Sequence, residues 1–156
     1  MPSILFVCSA NQCRSPMAEA LFKSILHDAE WGDDWRVESA GVWAYPGERA
    51  TPAARRVMRE RGLDIEDHRS RPVAEGLLTQ FDLVLVMEGR HAEALQIQFP
   101  ACADRVKLFS ALIGRSDDID DPVTGTLDTY RAAADELEDM LRRGFDRIIE
   151  WTAARD

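Results

Sequence analysis

Ile4-Leu5-Phe6-Val7-Cys8-Ser9-Ala10-Asn11-Gln12-Cys13-Arg14-Ser15-Pro16 runs without a break from an apolar segment through a polar loop to a proline. It reads as strand, tight loop, helix. Proline at a first helical position brings a preset φ and no amide to leave unpaired. Ser15 is therefore the expected N-cap, with a helix running from Pro16 toward His27. The amides of residues 9 to 15 can then converge on one point at the positive end of the helix dipole. Such a pocket suits a tetrahedral oxyanion, and phosphate fits it.

Two side chains make the loop more than an anion cradle: the thiol of Cys8 and the guanidinium of Arg14, with five residues between them. The thiolate is the nucleophilic form of cysteine, and a helix N-terminus with a nearby cation favours it. Arg14 offers a planar fork for two oxygens of a transferring phosphoryl group, and the Ser15 hydroxyl can donate to the sulfur when it leaves. A single cysteine ending a strand is most often a small buried hydrophobe. The ordered context of strand, Arg14, Ser15 and Pro16 shifts the reading to a catalytic thiol. Asn11 tolerates the left-handed backbone that a tight loop of this kind requires. A nucleotide-binding phosphate loop would need a lysine and more glycines.

Outward from this loop the elements alternate. Trp35 to Glu38 is a strand candidate. Thr51-Pro52 opens a helix that Gly62 closes, and Pro72 opens a short helix toward Leu78. Leu83 to Met87 is a continuous apolar run of the kind buried on both faces, followed by a helix from Gly89 to Gln98. Val106 to Phe109 is the fourth strand. Leu127, Tyr130, Ala134, Leu137, Leu141, Ile148 and Trp151 then form one apolar helical stripe to about residue 152, a core face rather than a cofactor box. The expected fold is α/β: one domain over residues 1–156, with a four-stranded parallel sheet, helices on both faces and the site at the carboxyl ends of the strands.

The 156 residues are 46% hydrophobic, enough for a proper core, and carry a net charge of −9. That charge argues against a nucleic-acid partner. The absence of a signal-like opening and of any apolar run of membrane length points to a cytoplasmic protein. Three cysteines with no even framework suit a reducing compartment. His27 and His91 have no ligands at metal spacing and read as surface helix residues, so no metal or cofactor is expected. Cys102 reads as inert. Cys13, inside the loop, could trap an oxidised Cys8 as a disulfide.

At CSANQCRSP the chain resembles the low-molecular-weight protein tyrosine phosphatase family, whose signature is C-x-G-N-x-C-R-S-P after a strand. Ser39-Ala40-Gly41 with Trp43, His68-Arg69-Ser70-Arg71, Asp82 to Met87 and Asp118-Ile119-Asp120-Asp121-Pro122 extend the likeness over nearly the whole chain. It implies catalysis by Cys8, Arg14 and Asp121, with phosphate held by Ser9, Ala10, Asn11, Gln12, Cys13, Arg14 and Ser15. His68 falls near the supporting structure of the site. Two departures stand out. Ala10 replaces the usual glycine, bringing a methyl group into a loop that must approach phosphate closely. Val123 replaces the tyrosine or phenylalanine that commonly follows Asp-Pro.

The long irregular stretch Gly114 to Gly125 holds Asp117, Asp118, Asp120 and Asp121, any of which could supply the proton a leaving group needs. The residues alone do not choose among them. The resemblance chooses Asp121, because the family's acid directly precedes a proline. It implies a phosphoprotein substrate and a cysteinyl-phosphate intermediate; a monomer or weak dimer is expected. Phosphotyrosine is the main reading. The alternatives are a protein-arginine phosphatase, to which Ala50 to Ala53 and Thr126 to Leu137 look closer, an arsenate reductase coupled to a small thiol, and an inactive phosphate-binding module. Gln12 matches neither the threonine of arginine phosphatases nor the isoleucine common in tyrosine phosphatases.

Overall fold

In the computed structural model, which describes residues 1–155, the run Ser3–Cys8 forms β1 at the interior of a parallel sheet of order β2-β1-β3-β4. The neighbours are β2 (Arg36–Gly41), β3 (Leu83–Val86) and β4 (Val106–Leu108). The helices are α1 (Arg14–Asp28), α2 (Pro52–Glu60), α3 (Glu75–Leu78), α4 (Gly89–Gln98), α5 (Leu127–Arg143) and α6 (Phe145–Ala153). Side-chain alternation divides the core. Ile4, Phe6, Leu83 and Leu85 face α1, α2, α5 and α6. Leu5, Val7, Val84 and Val86 pack with Leu78 of α3 and Leu95 of α4. Coverage on both faces explains why β1 and β3 read as unbroken apolar runs. Each fully buried large apolar side chain, such as Phe6 or Leu85, contributes about 1.5–3 kcal/mol of transfer free energy.

Several boundaries differ from those the sequence predicts. α1 begins at Arg14 with Cys13 as its N-cap and no side-chain cap bond. Ser15 is thus inside the first turn rather than capping it, because its hydroxyl is engaged by Cys8 and Asn11. β2 starts one residue later than Trp35 and continues to Gly41, in register with Cys8. Pro72 opens no helix; it bridges Gly41 in parallel pairing, and the short helix starts at Glu75. Phe109 turns out of β4 into a 3-10 turn. The predicted final helix is two helices divided at Gly144. A Cβ there would meet Leu112 Cβ at 2.6 Å and Leu112 O at 2.9 Å, so the chain changes direction where it presses on the turn after β4.

Cys8 ends β1 and Val86 ends β3, side by side in a parallel pair. Their carboxyl ends, with the loops that follow, form one edge of the sheet. This is where parallel α/β sheets bind ligands.

Candidate active site

The loop after β1 is held from outside by its carbonyls. Cys8 O and Ser9 O accept from the amides of Val42 and Trp43, Gln12 O from Thr51, and Cys13 O from Met17. His68 Nε2 donates to Asn11 O at 2.7 Å. With the carbonyls turned outward, the amides turn inward: among the described residues, none of the amides of Ser9 to Cys13 donates to a protein acceptor. The first-turn amides of α1 add to this ring, since no helix supplies their acceptors. Gly41 permits the close packing, because a Cβ there would meet Ser9 O at 2.7 Å and Asn11 N at 2.9 Å.

Asn11 has φ 58°, the left-handed conformation expected of it, and every polar group of its side chain is used. Its Nδ2 donates to Ser15 Oγ at 2.8 Å and Ser39 Oγ at 3.0 Å, while Oδ1 accepts from the Arg71 amide. Ser39 passes the chain on to Glu19 Oε1. Ala10 is absent from the positive-φ residues and its side chain is exposed. The methyl group therefore occupies solvent, and the alanine costs the loop nothing in backbone strain.

Inside the ring, Cys8 is 1% exposed, and its Sγ lies 3.0 Å from Ser15 Oγ. Arg14, also 1% exposed, is fixed by one nitrogen. Its Nη1 donates to Glu88 Oε2 at 2.6 Å and to Ile119 O at 2.7 Å. Its buried Nε has no hydrogen-bond partner, and Nη2 makes only long contacts, to Asp121 Oδ2 at 3.4 Å and Ser9 Oγ at 3.5 Å. One edge of the guanidinium is anchored and the other is left for an acceptor. A buried donor without an acceptor is costly, and an oxyanion in the ring would satisfy it.

Asp121 Oδ1 accepts from the Val123 amide at 3.1 Å and from the Cys13 thiol at 3.5 Å. Burial, with the Cys8 and Asp121 charges adding, pushes the Cys13 thiol far above the ordinary cysteine range, which keeps it a donor. The other aspartates of the loop lie elsewhere. Asp117 pairs with Arg115, Asp118 accepts from the Gly89 amide, and Asp120 is exposed. The structure thus brings Cys8, Arg14, Ser15 and Asp121 together around the amide ring. Gln12 sits at its mouth, with Nε2 donating to Arg49 O.

Three residues at the start of α4 belong to the site and were not anticipated. Glu88 grips Arg14 through one oxygen and Arg90 through the other. Burial opposes its ionisation, but the hydrogen bonds from Arg90 and Arg14 outweigh it and hold the carboxyl below the usual range. Arg90 stacks over Trp43 at 4.9 Å and donates to Ser9 Oγ at 3.1 Å. His91, expected on the surface, is fully buried, because α4 turns that face onto the loop and the Trp43 ring. The available signal was position: Met87-Glu88 directly follows β3, beside the carboxyl end of β1. His27 is exposed as expected, and Cys102 is buried on the α4 side of the sheet.

Residues 3–151 match the family model for low molecular weight phosphotyrosine protein phosphatase. A protein-arginine-phosphatase of Bacillus subtilis (strain 168) is 43% identical over 90% of this chain and 92% of its own. The crystal structure of a low molecular weight protein tyrosine phosphatase from T. tengcongensis superposes with a TM-score of 0.88. It is 36% identical, covering 94% of this chain and 99% of that one. A structure of YwlE arginine phosphatase with a phosphorylated active site serine gives a TM-score of 0.86 at 41% identity, over 90% and 91% of the two chains.

Proposed function

Because the chain belongs to the low molecular weight phosphotyrosine protein phosphatase family, we propose that it hydrolyses protein phosphotyrosine through a cysteinyl-phosphate on Cys8. The observation that carries this reading is the free guanidinium edge of Arg14, with its buried, unpartnered Nε, beside the thiol and the inward amides. Cys8 Sγ attacks phosphorus, so an S–P bond forms as the P–O bond to the substrate breaks. Arg14 Nε and Nη2, with the amides of Ser9 to Ser15, hold the equatorial oxygens. Asp121 protonates the leaving oxygen. Water then attacks phosphorus, Asp121 takes its proton, and the S–P bond breaks while Ser15 Oγ stabilises the departing thiolate.

A second reading, phosphoarginine, is favoured by the mouth of the site. Val123, 52% exposed, offers no ring to stack on an aryl group. Gln12 Oε1 has no partner among the described residues and would accept from guanidinium N–H groups. The resemblance to a protein-arginine-phosphatase agrees with this. Hydrolysis of matched phosphotyrosine and phosphoarginine peptides, with arsenate reduction as a third arm, decides among the readings. Silence in all three would leave a phosphate-binding module.

Three free cysteines suit the cytoplasm, and the proximity of Cys13 to Cys8 suits reversible oxidation. The acidic body suits a protein substrate rather than a nucleic acid, acted on by a monomer or weak dimer. No helix among the described residues is long and apolar enough to cross a membrane.

A further inference from the structure

Ser9 follows the nucleophile position, and its hydroxyl is surrounded by donors. Glu88 N donates to His91 Nδ1 at 3.1 Å, so Nδ1 is the unprotonated ring nitrogen and Nε2 carries the hydrogen. His91 Nε2 therefore donates to Ser9 Oγ, at 2.8 Å. Arg90 Nη2 donates to the same oxygen at 3.1 Å. A hydroxyl has two acceptor lone pairs and one proton, and these two bonds occupy the lone pairs. Among the described residues, no acceptor lies within hydrogen-bonding reach of the Ser9 proton.

Arg14 Nη2, on the free edge of that guanidinium, also points at the oxygen as a third, long donor at 3.5 Å. The Ser9 hydroxyl thus lies at the same end of the cradle as the free arginine edge. Burial holds His91 neutral, its pKa lowered to about 4, with Glu88 opposing and Arg14 and Arg90 adding to the effect. A protonated Nδ1 would meet the Glu88 N–H donor to donor. The neutral ring keeps the arrangement fixed across the physiological range.

We propose that the Ser9 hydroxyl is an additional side-chain donor to the bound phosphoryl group, and that buried His91 is the positioning residue that aims it. The proposal rests on the phosphatase reading and adds to it a second side-chain contact to the substrate, beside the Arg14 guanidinium and the loop amides. Arg90 completes the arm by filling the second lone pair while it stacks on Trp43.

The test is a set of variants read by titration calorimetry with inorganic phosphate and vanadate, alongside steady-state kinetics on an aryl phosphate. Ser9→Ala, at a half-buried position, should weaken phosphate by about 10- to 100-fold, the loss of one hydrogen bond to a charged group. His91→Asn places an amide near the Nδ1 position, so it can still accept from Glu88 N but cannot reach Ser9. It should reproduce the Ser9→Ala loss. His91→Gln places its amide near Nε2 and should bind phosphate more tightly than His91→Asn. In the double variant Ser9→Ala/His91→Asn the losses should not add, a result that a purely structural histidine would not give.

Phosphate affinity within about twofold of the parent in Ser9→Ala overturns the proposal, whatever the folding of the His91 variants. Additive losses overturn the role of His91. If the parent itself hydrolyses no phosphopeptide and binds no phosphate, the phosphatase reading fails as well; an active parent with an unaffected Ser9→Ala sinks this inference alone.

Discussion

Replacing Glu88 by alanine removes the carboxylate that anchors Arg14 Nη1 at 2.6 Å, 74 residues away in sequence. Breaking a buried ion pair from one side typically costs about 3–5 kcal/mol. Here Arg14 is 1% exposed but the Glu88 side chain is 15% exposed, and Arg14 retains the Ile119 carbonyl at 2.7 Å. Water can enter where the carboxylate stood, so a loss of about 2–3 kcal/mol is expected, or about 4–12 °C in Tm for a chain of this length. Glu88→Gln keeps an acceptor oxygen and should lose less. The guanidinium should also lose its alignment, lowering kcat/KM on an aryl phosphate. Without Glu88 the Arg14 charge keeps only its long contact to Asp121 Oδ2 at 3.4 Å, so an anion in the loop should stabilise the variant more than the parent. Thermal denaturation with and without saturating phosphate, paired with steady-state kinetics, measures each effect. A Tm within about 1 °C of the parent together with unchanged kcat/KM would refute the anchoring role, as would a phosphate-induced shift no larger than the parent's.

Asp121→Ala should lower kcat by about 10²- to 10⁴-fold, with the deficit shrinking for leaving groups of low pKa; Asp120→Ala should lose less, and the reverse order would move the acid by one residue. Mild peroxide should inactivate the enzyme reversibly through a Cys8–Cys13 disulfide seen by mass spectrometry. In Cys13→Ser the same treatment should drive Cys8 to acids that thiol reductants do not reverse; full recovery of that variant would remove the protective role. His91 has its folded pKa lowered to about 4, against about 6.5 unfolded. The unfolded chain therefore binds more protons between these values, and stability falls as pH drops from about 6.5 toward 4. Denaturant titrations at pH 7 and 5 should show a shallower fall in His91→Gln than in the parent; identical falls would show that His91 does not contribute to it.

What the sequence made legible was local. Strand, loop and helix N-terminus lie within Ile4 to Pro16, so the loop, the thiol, the guanidinium and the left-handed Asn11 could be read from neighbours in the chain. The covered sheet was legible because burial on both faces leaves β1 from Ile4 onward, and all of β3, without a charged or strongly polar side chain. What was missed depends on partners distant in sequence. The Glu88 grip on Arg14 and the His91 contact to Ser9, 82 residues apart, leave no periodic mark, and a histidine on a short helix carries no sign of which way it faces. The break at Gly144 arises from Leu112, which the apolar stripe of α5 and α6 does not register. Ser15 looked like a cap because serine usually caps; here the thiol and Asn11 claim its hydroxyl, and the amides it would have satisfied remain free.

The most direct test of the account is Cys8→Ser, assayed with an aryl phosphate and titrated with vanadate. The serine hydroxyl keeps the shape of the loop but has no neighbouring base to make it a competent nucleophile. The account predicts loss of catalytic turnover with vanadate binding largely retained. Appreciable turnover by that variant would contradict a cysteinyl-phosphate and place the nucleophile elsewhere.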